Sequence, residues 1–326
     1  LDRQRDYTKY LKTTKENARQ IREKVLKYLM VRRTRTEIVK YFGNDLKTQN
    51  LKFPDIENPV PLFYELNDQE DEIFNTTIEL ISQKFTYARY MPMLYLIEGL
   101  DQLEEQSQKN MGKFMKILLV KRLESSFFAF KNSINRFIYS YEMFIKEYHK
   151  GNVYISKKYS NKIFEFLEID DDAAIQKLID EGKAEKYPSS AFKKELIIDL
   201  KNDLSILQQV KVMWQKINRD PKLISFISHL SKNQILKENK LIIFTESKET
   251  AEYLSTNINE KYSNTAICFT GGSGMATRDK VIENFDAKSR HPKDDYRILI
   301  STDVLSEGVN LHRSNVVIIM IFHGIQ

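Results

Sequence analysis

At 326 residues the chain suits two ordinary domains, or one domain carrying a large insertion, and is ample to bury a core. With 29% charged and 41% apolar residues it reads as globular rather than disordered, and its longest late apolar run, Val316–Phe322, falls far short of the about 20 residues a helix needs to cross a bilayer. The net charge of +6 gathers at one end: residues 1–52 hold fifteen Lys/Arg against six Asp/Glu, a segment that can face phosphates or simply form a solvated helix face.

Gly and Pro are scarce, at 10 and 7, so few turns and long helices are expected. The lone Cys268 falls in an apolar run and reads as a small core residue, with no disulfide framework or zinc-ligand spacing around it. With no signal peptide in view, an intracellular, cytoplasmic location is expected. The first residue is Leu1 rather than Met, which suggests a piece of something longer.

In chain order, residues 1–30 read as one helix, with Ile21, Val25, Tyr28 and Leu29 on one face. Residues 43–61, with Gly, Asn, Asp and three prolines, read as a connector, and the alternation at Val60–Leu66 predicts a short strand. Asn67 or Asp68 caps a helix to about Gln83. Met111–His149 is a long periodic stretch, too aromatic for a regular heptad coiled coil, and it breaks at Lys150-Gly151-Asn152. A short helix is expected from Asp170–Asp172 to about Gly182, and a long one from Pro188 to about Ile217; the two long helical stretches suggest an antiparallel hairpin. Asp220-Pro221-Lys222 starts a helix to about Leu236. From there strands at 241–246, 265–270, 297–302 and 315–322 alternate with helices at 248–260, 276–287 and 304–307. That alternation predicts an α/β fold with a parallel sheet.

The ends of these strands carry the chemistry. LIIFTES (Leu241–Ser247), AICFTGG (Ala266–Gly272) and ILISTDVLSEGVNL (Ile298–Leu311) each run from an apolar strand into hydroxyl, carboxylate or glycine residues. Such residues at the carboxyl ends of parallel strands mark a ligand edge. Hydroxyls and free loop amides there suit phosphate oxygens. Thr245 with Glu246 and Ser247 reads as the cap of the following helix. Gly271-Gly272-Ser273-Gly274 lacks the GK[ST] ending of a phosphate-binding loop and reads as a flexible turn. Lys121-Arg122 with Glu124 reads as a salt-linked helix face, and the five histidines show no metal-ligand spacing.

These motifs, in this order and spacing, resemble the second RecA-like lobe of superfamily-two helicases and translocases, of the Swi/Snf-like and bacterial kind. LIIFTES resembles motif IV, STDVLSEGVNL motif V, and Val31-Arg32-Arg33-Thr34-Arg35 the basic segment that closes the first lobe. Leu119–Phe130 resembles a helical segment of bacterial helicases. The resemblance implies a truncated RecA-like lobe at 219–326, preceded by a helical insertion with a long hairpin at 59–218. Residues 1–58 become a basic helix and connector from the end of the first lobe. It implies nucleic-acid contacts at Thr245, Thr270, Gly271, Ser301, Thr302 and Asp303, with Arg32 and Arg33 either bracing the lobes or holding DNA. It also implies ATP contacts at Glu307, Gly308 and Asn310, with magnesium held by the first lobe. The partners implied are double-stranded DNA and that missing first lobe. The chain contains no GxxxxGK[ST], no DExx box after an apolar strand, and no arginine-finger motif after Val316–Ile321, so no ATP turnover is expected of it alone. The alternative expectation is a non-catalytic helical scaffold joined to a degenerate nucleotide-fold domain.

Overall fold

The computed structural model describes residues 16–26, 34–155, 185–305 and 309–320. The chain divides into two compact units, Leu1–Pro61 and Leu62–Gln326. In the first, residues 16–21 are helical and Arg22–Leu26 form a π-helical turn; the remainder of the helix expected over 1–30 lies outside the described residues. Helix α1 (Arg35–Thr48) starts at a reciprocal capping box. The Glu37 amide donates to the Thr34 hydroxyl at 3.2 Å, and the Thr34 amide donates to the Glu37 carboxylate at 2.8 Å. The helix therefore runs through Gly43 and Asn44, which the sequence assigned to a connector. It bends at Phe42 (φ −124°) instead of ending. A single glycine costs a helix about 1 kcal/mol, too little to stop one that is capped.

The second unit opens with an irregular segment at 62–66 that is not a strand, contrary to the expectation for Val60–Leu66. It has no ladder partner. Instead the Ser225 hydroxyl donates to the Phe63 carbonyl (3.0 Å) and Arg219 donates to the Glu65 carbonyl (3.3 Å). Helix α2 (Asp68–Glu79) is capped by Asn67 with Glu70 in a capping box, as its sequence predicts, and continues into a π turn at Leu80–Lys84. The long periodic stretch is two helices, α3 (Gln102–Ser125) and α4 (Phe127–His149), separated by Ser126 in an extended conformation (φ −158°, ψ 150°). Ser126 breaks the helix because its hydroxyl caps α4, accepting from the Ala129 amide at 3.0 Å. Gly151, at φ +85°, supplies the left-handed turn into β1 (Asn152–Ile155), which pairs antiparallel with β2 (Glu185–Pro188). The short helix expected near Asp170 lies outside the described residues. Helix α5 (Glu195–Gln215) then packs along α4.

One core holds this helical region together, with Leu119, Phe130, Tyr141, Leu196, Leu200, Leu207 and Trp214 fully or almost fully buried. Asp203 lies at its centre and is fully buried. Its carboxylate accepts from the Thr86 amide (2.7 Å) and hydroxyl (2.9 Å), the Ala88 amide (3.0 Å) and the Tyr141 hydroxyl (2.9 Å). Burial raises the Asp203 pKa and the four donors pull it back, so the group is a satisfied structural hub.

The remainder is α/β, as expected. Helix α6 (Pro221–Lys232) starts at the Asp220 cap with Pro221 in its first turn, and α7 (Gln234–Glu238) follows. Then come β3 (Leu241–Thr245), α8 (Lys248–Tyr262), β4 (Ala266–Phe269), α9 (Met275–Phe285), β5 (Ile298–Ser301), a 3₁₀ turn at Asp303–Leu305 and β6 (Val316–Met320). The sheet order is β4-β5-β3-β6, every pair parallel. Alternate residues serve opposite faces: Leu241, Ile243, Ile298, Ile300 and Ile318 meet α6 to α8, while Ile242, Ile267, Phe269 and Leu299 meet α9 and Leu305. Cover on both faces is why these strands read as unbroken apolar runs. At the edge strand β6 the α9 side is open, with Val317 and Ile319 exposed. Among the described residues, no helix is long and apolar enough to cross a membrane.

Candidate functional site

Because the four strands are parallel, their carboxyl ends share one edge. The register aligns Phe244, Ser301 and Phe269 across β3, β5 and β4, so Thr302 and Thr270 leave the sheet one residue later, level with Thr245, the last residue of β3, which still pairs with Met320. The three polar strand tips singled out in the sequence therefore form one rim.

The residues on that rim differ sharply in what they can offer. Ser301 is fully buried and its hydroxyl lies 2.7 Å from the Phe269 carbonyl, to which it donates, so it ties β5 to β4. Thr245 is buried, and its hydroxyl faces the Ser247 amide at 3.4 Å. The cap of α8 is Ser247 rather than Thr245: its hydroxyl accepts from the Thr250 amide at 3.3 Å. Thr302 is buried at the start of the 3₁₀ turn. Thr270 is buried, and its amide donates to the Ser273 hydroxyl at 2.9 Å while its carbonyl accepts from the Ser273 amide at 2.9 Å. That closes the turn read as flexible in the sequence. The exposed groups are Glu246, Gly271, Gly272, Asp303 and Val304, with Asn310 further on. Val304 lies beside Gly271, and the Lys248 ammonium reaches over Gly272, so close that a Cβ there would stand 3.2 Å from it. Glu307 and Gly308, and likewise Arg32 and Arg33, lie outside the described residues.

The β3 end of the rim is covered by the helical region. At the α3–α4 corner, Arg122, itself buried, donates to the Ser247 hydroxyl at 2.8 Å. Ser125 and Ser126 meet the Thr250 hydroxyl at 2.8 and 3.1 Å. Arg136 forks onto Glu249 at 2.6 and 3.2 Å, Lys121 pairs with Glu246 at 3.3 Å, and Phe128 stacks on Tyr253 with centroids 4.6 Å apart. Lys222 closes the same junction from α6, donating to the last carbonyls of α3, Glu124 (2.9 Å) and Ser125 (3.0 Å). Burial pushes the Lys222 ammonium down to about 8, against the opposing pull of Asp220 and Glu124. Burial also raises Glu124, with Glu246 adding to the effect, and raises Asp220. Lys121 and Arg122, expected as a salt-linked helix face, thus bridge to another part of the fold. Their separation of about 125 residues from Ser247 left no local signal; only Ser247, read together with Thr245 as the start of the following helix, was legible, and Ser126 was not.

Among the described residues, no group of three His, Cys, Asp or Glu side chains is placed to hold a metal ion. Residues 221–324 match the family model for the helicase conserved C-terminal domain. This stretch is thus a helicase-type C-terminal lobe, and the match covers less than half of the chain. A comparison with curated proteins found no match.

Proposed function

We propose that this chain is the second-lobe portion of an ATP-dependent nucleic-acid motor, of the Swi/Snf-like kind, that engages DNA along the carboxyl edge of its sheet. The observation that carries the reading is the in-register rim formed by β3, β5 and β4 within the stretch that matches a helicase C-terminal domain. Nucleic-acid contact on this rim falls to its exposed half. Gly271 and Gly272 admit a backbone phosphate without a side chain in the way, and Lys248 supplies positive charge beside them. The buried Thr245, Ser301 and Thr302 act by shaping the strand ends, and Asp303 marks the rim's acidic border.

ATP and magnesium belong to this reading as cofactors of the whole motor. The residues here fit one wall of such a site at most. Asn310 is exposed beyond the 3₁₀ turn, while the sequence offers no phosphate-cradling loop and the described residues no carboxylate cluster for the metal. When bound between two lobes, the nucleotide supplies the energy that drives one lobe against the other. This chain's part is to hold nucleic acid on its own lobe while that happens.

The test is binding of the full chain to a short DNA duplex and to a single strand, titrated across salt. We expect log K to fall linearly with log salt, because each phosphate contact releases counterions. Gly271→Glu, which sets a negative charge on the exposed rim where a Cβ meets only the Val304 methyl at van der Waals distance, should weaken binding about tenfold, on the order of 1.4 kcal/mol. No binding at low salt, or binding indifferent to Gly271→Glu, would count against the rim and favour the scaffold alternative.

A further inference from the structure

The α3–α4 corner joins the helical region to the helicase-type lobe through a contact too specific to be a passing touch. Two helix starts meet there. Ser126 caps α4 and Ser247 caps α8, and Thr250, in the first turn of α8, bonds to Ser125 and Ser126. Thr250 is fully buried, and Arg122, Ser125, Ser126 and Ser247 are all buried too. The buried hydroxyls keep their partners, and the buried Arg122 guanidinium its bond to Ser247, only while the two surfaces stay in this one arrangement. A slide of about an ångström or more leaves desolvated donors and acceptors without partners. An apolar interface would slide more freely, since its contacts carry no direction. Around this centre, the Arg136–Glu249 fork and the Phe128–Tyr253 stack add two further directional contacts, and Lys222 locks the last turn of α3 to α6.

We propose that this corner pins the helical region to the second lobe as a single rigid body, with Arg122 and Thr250 as the pins, so that the helical region is a lever carried by the lobe. The coupling itself does not depend on what the rim binds. Its use, swinging the lever as the lobe moves over nucleic acid, rests on the motor reading. The same contacts cover the β3 tip, so the lever begins at the rim, next to Lys248 and the Gly271-Gly272 turn.

The experiment measures the distance between spin labels on cysteines placed at exposed Ile198 on α5 and exposed Lys280 on α9, in the full chain with Cys268→Ser. We expect one narrow distance distribution. With Thr250→Val, which keeps the shape and removes the hydroxyl, the distribution broadens; with Arg122→Met added, it broadens further. Emission from Trp214, the single tryptophan, checks that the helical region remains folded in each variant. Should the double variant fail to fold, Thr250→Val alone and the unaltered chain decide. A broad or multiple distribution in the unaltered chain overturns the proposal, and so does a narrow one that the variants leave unchanged. Either result leaves the salt-dependent DNA binding untouched, just as loss of DNA binding leaves the coupling untouched.

Discussion

Two ionisable residues, one fully buried and one half-buried, show how the same physics serves different ends. Asp203 sits on the face of α5 that also bears Leu196, Leu200, Leu207 and Trp214, where a carboxylate is expensive to bury. Four donors converge on it, so it organises the helical core instead of disrupting it. Lys222 is less fully compensated. Its pKa falls to about 8 in the fold against an ordinary value near 10.5 in the unfolded chain, so between those values the unfolded state holds more protons. Stability therefore rises with pH through that window, and the gain is lost as pH falls through about 8. The facing groups are Asp220 and Glu124, both raised by burial, and Tyr253, which burial also pushes up. Between about pH 8 and pH 9.5 the unaltered chain should gain about 1–2 kcal/mol relative to Lys222→Met, read from urea unfolding at each pH. Equal slopes for the two proteins would show that Lys222 is not held in a low-pKa environment.

Among the elements, the break between α3 and α4 matters most. The run Met111–His149 is periodic on both sides of Ser126, and nothing in its apolar spacing forces an end there. The cap does: Ser126 accepts from the Ala129 amide and contacts Thr250 at the same time. Ser126→Ala should therefore lower stability by more than the about 1 kcal/mol typical of a lost cap, because Thr250 also loses a partner. A chemical-denaturation series comparing Ser126→Ala with Asp101→Ala, a cap on the exposed start of α3 whose carboxylate accepts from the Glu104 amide at 2.8 Å, checks this. Equal losses would mean that the corner adds nothing beyond capping. The strands behave differently. Each was legible from its apolar run, and the observed ends of β3 to β5 and the start of β6 lie within one residue of those expected, while the expected end of β6 lies outside the described residues. The exception at 60–66 has the right alternation but no neighbour to pair with, and a strand exists only in a sheet.

For the whole molecule, the arrangement divides labour between a lobe with an open edge and a helical region pinned to one end of that edge. A lobe with no phosphate-cradling loop of its own should bind nucleic acid without hydrolysing ATP. The expected outcome is no DNA-stimulated phosphate release from the chain alone at any DNA concentration that saturates binding. Measurable DNA-stimulated turnover would overturn the view that catalysis needs a first lobe.

The sequence by itself determined the parallel sheet, the polar tips of its strands and most helix starts. Apolar periodicity, caps and turn residues act over a few positions and are written locally. Thr245, Ser301 and Thr302 looked equivalent to Gly271 and Asp303 on that local basis. Only the tertiary structure buried the first three and exposed the other two, because burial depends on which strands and helices come to lie beside a residue. The corner joining Arg122 to Ser247 and Ser125 to Thr250 was decided in the same way: hydrogen bonds between groups more than a hundred residues apart follow from packing, and no spacing along the chain announces them.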